Sequence, residues 1–274
     1  MSIRLIATDL DGTLWDRSCV VHPAVLEALA ELKAQGVTVM AATGRRPRSA
    51  RTALDDNGIQ LPAVLLDGTL GEDFVTGERF HEILFATANA QAVYAAFRQH
   101  DLEPNVFVDH PEIDVLLAER PSTKPTHADH LAAWARIGPV QEALDDHAIA
   151  AFTIIGGTEQ DLAPVAAIVT KGGWGHATLV HDSLYGGTSL SVIPSTANKW
   201  AGVASYAARL GIDRAEVLGV GDASNDVALL RGAGVAVAVR NASPDALAEA
   251  DHLIEPPGDG GWASLVELIG RLRD

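Results

Sequence analysis

Two carboxylates, Asp9 and Asp11, stand at the end of the apolar run Arg4-Leu5-Ile6-Ala7-Thr8, and Gly12-Thr13-Leu14 turns the chain away after them. The run reads as a buried strand. Its period of two places both acids on one side, unless the turn bends the second away. A pair of acids at the mouth of a sheet has no packing use. It has a chemical one if the first attacks and the second moves protons. Three more polar clusters obey the same positional rule. Thr43-Gly44-Arg45 follows an apolar run at 37–42, Lys199 opens a helical segment, and Gly221-Asp222-Ala223-Ser224-Asn225-Asp226 follows an apolar run at 217–220.

The roles follow from charge. A carboxylate beside the phosphorus of a phosphate monoester can attack it and form an aspartyl-phosphate. The phosphate brings about two negative charges. With Asp9, Asp222 and Asp226 ionised, the site would hold on the order of −5, and like unit charges about 4 Å apart repel by roughly 4 kcal/mol at an effective dielectric of about 20. Such a site needs cations. Lys199 supplies one charge and Mg²⁺ would supply two more, since magnesium takes a few carboxylates plus substrate oxygens and water. Thr43 offers a hydroxyl, and the amides around Gly12 and Gly44 offer N–H donors to phosphate oxygens. Of two carboxyls this close, one tends to hold its proton. A protonated Asp11 would give that proton to the leaving alcohol and later take one from the attacking water.

These clusters need strands and helices to bring them together. Apolar, β-branched stretches at 5–8, 37–42 and 63–66 alternate with helical stretches at 23–35 and 47–57, the first opened by Pro23 and stopped by Gly36. This β-α-β-α-β rhythm predicts a doubly wound parallel sheet with helices on both faces. Residues 73–80, with Thr76-Gly77 in the middle, read as a hairpin. The rhythm returns late, with strands at 190–193, 217–220 and 235–239 and helices at 197–210, 226–231, 244–250 and 262–272. The middle differs. It holds two longer helices (88–100 and 161–170), strands near Val106, Val115, Phe152 and Thr178, and more His, Pro and Trp. The sequence therefore predicts an α/β core built from 1–82 and 187–274, with an α+β domain inserted at 83–186. Ligands of an open parallel sheet gather beyond the carboxyl ends of its strands, where the four clusters fall.

The bulk properties set limits. The chain has 274 residues, 47% hydrophobic and 20% charged, which is globular composition. Its net charge of −16 argues against nucleic acid and anionic membrane as partners. A single cysteine, Cys19, excludes an internal disulfide and is consistent with a reducing cytoplasm. We expect a cytoplasmic protein with no signal peptide and no membrane span. A homodimer is left open.

Taken together, the four clusters resemble the four motifs of the haloacid dehalogenase superfamily of phosphotransferases. Ala42-Thr43-Gly44-Arg45, the central insert and the Gly-Asp-x-x-Asn-Asp box resemble its Cof-type subfamily, which carries a large cap between the second and third motifs. The resemblance covers roughly 1–82 and 187–274; the cap matches by position and size only. It implies that Asp9 is the nucleophile and Asp11 the acid/base. It implies that Thr43, Gly44, Lys199 and Asn225 serve the phosphate, and that Asp222, Asp9 and the Asp11 carbonyl hold Mg²⁺. Asn225 and Asp226 would support the metal and Lys199. The presence of Asp11 favours phosphate chemistry over dehalogenation. Two residues depart from the pattern. Asp67-Gly68 stands where the subfamily usually has Asn-Gly. The extra acid would weaken anion binding unless it is neutralised, turned away or used to read a substrate hydroxyl. Trp200 follows Lys199 where a small residue is common, and would reshape the pocket floor.

Other features read blandly. His127 and His130 flank an exposed helix start, Gly172-Gly173-Trp174-Gly175-His176 is a turn before a strand, and Trp134 is expected in a core. Arg45, Arg46, Arg48 and Arg51 form a basic helix start, of which Arg45 is placed to touch substrate or cap. The favoured function is a Mg²⁺-dependent phosphatase of small phosphorylated metabolites, sugar phosphates by resemblance. The rivals are a phosphomutase using the same intermediate and a non-enzymatic phosphate-binding or signalling module. A lasting phospho-switch gains nothing from Asp11, which speeds hydrolysis.

Overall fold

The computed structural model describes residues 2–16, 18–182 and 185–273. The chain folds as two compact units, one from Met1–Glu82 and Asn198–Asp274, the other from Ile83–Ala197. In chain order the strands are β1 (Leu5–Thr8), β2 (Thr38–Ala42), β3 (Pro62–Leu65), β4 (Leu70–Asp73), β5 (Arg79–Glu82), β6 (Asn105–Val108), β7 (Val115–Leu117), β8 (Ala135–Ile137), β9 (Ile149–Gly157), β10 (His176–His181), β11 (Thr188–Ile193), β12 (Val217–Gly221), β13 (Val235–Val239) and β14 (His252–Ile254). The helices are α1 (Pro23–Ala34), α2 (Pro47–Asp56), α3 (Thr87–Arg98), α4 (Pro125–Ala132), α5 (Val140–Ala143), α6 (Glu159–Gly172), α7 (Lys199–Arg209), α8 (Val227–Gly232), α9 (Pro244–Glu249) and α10 (Leu265–Arg273).

The first unit is built on a sheet of order β14-β13-β12-β1-β2-β3-β4-β5. From β14 to β3 the strands are parallel, and β4 and β5 add an antiparallel hairpin at one edge. The short strands β1, β3, β12 and β13 are buried at every residue, as expected for a parallel sheet covered on both faces. The helices read locally as the sequence suggests. In α1, Pro23 occupies the first turn, His22 Nδ1 caps the Ala24 N–H at 3.2 Å, and Val25, Ala28 and Leu32 form the buried stripe. On one face, Val203 and Ala207 of α7 and Leu229 of α8 pack against Leu5, Ala7, Met40, Ala42 and Val64. The strand β1 lies between β2 and β12, so the chain winds away from it in both directions. The carboxyl end of β1 is therefore a topological switch point.

The second unit carries a sheet of order β10-β11-β9-β6-β7-β8, antiparallel except for the β7–β8 pair. Its core joins Phe97 and Val93 of α3, Val165 and Val169 of α6, and Phe152 and Ile154 of β9. The expected return to the core at 187 is corrected here: β11 belongs to this second sheet, with Leu190 opposite Ile154 and Val192 opposite Phe152, and the first unit resumes at Asn198. An apolar strand next to a helix fits either sheet by pattern, and partner chemistry decides. Leu190 and Val192 complete the aromatic core of the second unit. Trp134, expected in a core, is 42% exposed. Among the described residues no helix is long and apolar enough to cross a membrane.

Candidate active site

The loop after β1 carries Asp9, 6% exposed, whose N–H donates to the Val220 carbonyl of β12 at 2.9 Å. The two residues that end the first motif explain themselves by contact. Gly12 has φ +89°, and a Cβ there would lie 2.5 Å from an Asp222 carboxylate oxygen, so both the backbone and the close approach demand glycine. Thr13, wholly buried, donates its hydroxyl proton to Asp222 Oδ1 at 2.7 Å. The loop thus seats Asp222 against Asp9.

Asp226 organises the other side. Its Oδ2 accepts the N–H groups of Asp222 and Ala223, both at 3.0 Å, and its Oδ1 accepts from Lys199 Nζ at 2.6 Å. A Cβ on Gly221 would fall 2.4 Å from the Asp226 Cβ, which leaves only glycine room at the end of β12. Lys199 is the first residue of α7. Its neighbour Asn198 caps the helix by accepting from the Ala201 N–H at 2.9 Å. The Lys199 ammonium, wholly buried, donates to Asp9 Oδ1 at 2.7 Å as well as to Asp226. Residues separated by 190 positions in the chain therefore meet in one ion-paired cluster.

Electrostatics follow from this crowding. Burial raises the Asp9 pKa well above the carboxylate range. Lys199 opposes the rise, but its single charge is shared with Asp226, and Asp226, Asp222 and Asp11 push the same way as burial. Burial, then Asp226, raises Asp222 to about 6. For Lys199, burial favours losing the proton, and the Asp226 and Asp9 carboxylates outweigh it, so the ammonium is held charged.

Asp9, Asp222 and Asp226 each bring a carboxylate oxygen within 4.8 Å of the others. Hard oxygen donors in this number suit Mg²⁺. Asp226 has both oxygens committed, to Lys199 and to the 222–223 amides, which leaves Asp9 and Asp222 as the carboxylates to hold a cation. The Asp11 side chain stands outside this group. Arg45 Nε and Nη2 grip both of its oxygens, the Nε bond measuring 2.6 Å, and Trp15 Nε1 donates to it at 2.9 Å. A carboxylate engaged by a guanidinium fork accepts through both oxygens. Both Asp11 oxygens are thus engaged by Arg45, and a ligand can reach them only where the guanidinium lets go. Arg45 also donates to Cys19 Sγ at 3.0 Å and stacks 5.5 Å above the Trp15 ring.

The remaining expected residues are placed as follows. Thr43, 1% exposed, directly follows β2; its hydroxyl accepts the Arg45 N–H at 3.1 Å. Gly44 lies under Asp67: a Cβ on Gly44 would be 3.1 Å from Asp67 Oδ1. Asn225 Nδ2 donates to Asp67 Oδ1 at 2.8 Å, so the extra acid after β3 is bound within the site. Trp200 is turned to α8. Its ring covers Gly232 of α8, where a Cβ would fall 2.1 Å from Trp200 Cδ2, and it packs on the apolar face of the sheet. One buried link was not expected. The Trp262 indole N–H donates to Thr8 Oγ1 at 3.0 Å, and the Thr8 hydroxyl donates to the Asp9 carbonyl at 2.8 Å. The two side chains are 254 positions apart, and no local signal in either segment announces the contact.

A family model described as haloacid dehalogenase-like hydrolase matches residues 6–265. The chain is 30% identical over 271 residues to the HMP-PP phosphatase of Cronobacter sakazakii, covering 91% of this chain and 89% of that one. It is 25% identical over 289 residues to the pyridoxal phosphate phosphatase YbhA of Escherichia coli, covering 98% of each. Among solved structures, the subclass IIB sugar phosphatase BT4131 superposes with a TM-score of 0.77 at 20% identity, covering 97% of this chain and 99% of that one. The chain belongs to the haloacid dehalogenase-like hydrolase family.

Proposed function

We propose that the protein is a Mg²⁺-dependent phosphatase that hydrolyses small phosphorylated metabolites, sugar phosphates foremost, through a phosphoryl group carried on Asp9. The observation that carries this reading is the Lys199 ammonium wedged between Asp9 and Asp226 with the Asp222 carboxylate alongside. A buried acid cluster held together by one lysine is poorly compensated by itself, and suits a site that also takes a divalent cation and a phosphate. The likeness to phosphatases acting on pyridoxal phosphate, HMP-PP and sugar phosphates supports the substrate class.

In this mechanism the free Asp9 oxygen attacks phosphorus, the P–O bond to the alcohol breaks, and an aspartyl-phosphate forms. Lys199 holds Asp9 in place, while Thr43, Gly44 and Asn225 bind phosphate oxygens. Asp11, released from Arg45 and carrying a proton, gives it to the departing alkoxide and then takes one back from the water that attacks phosphorus, which restores Asp9 and frees phosphate. Bound to Asp9, Asp222 and the Asp11 carbonyl, Mg²⁺ would supply charge neutralisation for the phosphoryl group. One cysteine and an acidic surface suit a cytoplasmic enzyme.

A panel of phosphorylated metabolites, assayed with and without Mg²⁺, tests this. Phosphate release that needs the cation, is lost reversibly on chelation and is abolished by Asp9→Asn is the expected result. Full activity in Asp9→Asn removes the nucleophile assignment.

A further inference from the structure

The charges of the candidate site do not all balance alike. Lys199 is shared by Asp9 and Asp226, and Arg45 is paired with Asp11. Asp222 accepts from Thr13 and stands among the cation-holding oxygens. That leaves Asp67. Among the described residues its carboxylate is met by the neutral Asn225 amide, at 2.8 Å. Its position is fixed by the backbone. Leu66, Asp67 and Gly68 run in succession through positive φ (46°, 53° and 105°), a conformation that Asp tolerates better than most side chains. The turn is stapled to the loop after β2, the Leu66 N–H donating to the Arg45 carbonyl at 3.0 Å and the Asp67 N–H to the Thr43 carbonyl at 3.1 Å. The packing that puts Asp67 Oδ1 over Gly44 follows from those two bonds. An acid is thus built rigidly against the segment proposed to bind phosphate.

We propose that Asp67 is a specificity-determining residue: its fixed negative charge weakens the hold of the pocket on anions, and so favours phosphate monoesters with neutral or cationic leaving groups over those carrying a second anion. The inference rests on the phosphatase reading of the same site. A carboxylate beside an anion pocket acts through space, so it needs no direct contact with the leaving group to penalise a carboxylate or second phosphate a few ångströms away. The same charge speeds departure of the phosphate product. Of the three roles open to an extra acid here, full neutralisation is not available: Asp67 acts on the Lys199 ammonium through space, but that single charge is already ion-paired with Asp9 and Asp226. Its Oδ1 is turned to Asn225, yet stays over Gly44, so the charge remains in the site.

The test uses Asp67→Asn, which keeps the shape, tolerates the left-handed backbone and still accepts from Asn225. Binding of inorganic phosphate to the Mg²⁺-loaded protein is measured by calorimetry. Phosphate should bind at least about fivefold more tightly to the variant, the effect of one unit charge about 4 Å away even at the dielectric of water. The kcat/KM preference for a neutral-leaving-group monoester over one bearing a second phosphate should shrink by a similar factor. Asp56→Asn, at an exposed site on α2, should leave both quantities unchanged. A merely structural role for Asp67 gives weaker or unchanged phosphate binding, and either result overturns the inference. So does equal tightening in Asp56→Asn. A wild-type protein that hydrolyses no phosphate monoester sinks the phosphatase reading instead. Wild-type turnover with an unaltered preference in Asp67→Asn sinks only the role of Asp67.

Discussion

Replacing Lys199 with methionine removes the positive charge lodged between Asp9 and Asp226 and leaves a side chain of similar length. The lysine is wholly buried, with Nζ 2.7 Å from one carboxylate and 2.6 Å from the other. Removing one member of a buried ion pair typically costs about 3–5 kcal/mol, because the partner is left charged and unpaired. Here two partners are left. The loss is bounded, since the Asp9 pKa is already raised by burial and will rise further, and Asp9 escapes by taking a proton. An acid whose folded pKa lies above its unfolded value destabilises the fold when ionised, so stability returns as pH falls through the folded pKa. Lys199→Met should therefore lose about 3–5 kcal/mol near pH ~8, and progressively less as the pH falls. For a unit of this size the larger figure corresponds to a fall in Tm of about 15 °C. Fluorescence reports the transition, because Trp15 and Trp262 are both fully buried in the first unit. Phosphatase activity should vanish in parallel. A loss below about 1 kcal/mol at every pH, or a loss that grows as the pH falls, refutes the reasoning.

Two other perturbations probe different parts of the site. The Asp222 pKa is raised to about 6, chiefly by burial and then by Asp226. Ionisation of Asp222 hence works against the metal-free fold, whose stability should fall by about 2–3 kcal/mol between pH ~4 and ~6 through this residue. That contribution, read as the difference from Asp222→Asn, should disappear in the presence of Mg²⁺. Mg²⁺ affinity measured by calorimetry should fall as the pH drops below about 6. At Gly68 a Cβ would lie 2.0 Å from the Asn198 carbonyl oxygen, and φ is +105°. Gly68→Ala should cost about 3 kcal/mol or more in denaturant unfolding and reduce kcat by displacing the residue that caps the Lys199 helix.

Much of the site could be read from the chain because each polar cluster directly follows a strand or opens a helix. An abrupt change from apolar β-branched residues to acids is a local signal, and parallel strands bring such ends together without further information. Gly12, Thr13 and Gly221 belong to that local signal, and their contacts with Asp222 and Asp226 show why those residue types are required. What stayed hidden depends on partners distant in sequence. The strand β11 has the composition of a core strand, and only its pairing with β9 and β10 assigns it to the second sheet. The place of Trp200 stayed hidden because helix position alone does not say that Gly232 leaves room for an indole. The Arg45 grip on Asp11 bridges 34 positions, and the Trp262–Thr8–Asp9 link crosses nearly the whole chain. Asp67 showed as an anomaly in the sequence, but its partner and its place over Gly44 needed the left-handed turn.

The claim on which all of this rests is that Asp9 accepts the phosphoryl group. Acid-quenching the Mg²⁺-loaded enzyme in mid-turnover, digesting it and weighing the peptides by mass spectrometry tests that directly. The peptide containing Asp9 should carry the mass of one phosphoryl group, and the adduct should vanish once substrate is exhausted. Steady turnover with an unmodified Asp9 peptide, or an adduct on another residue, contradicts the account.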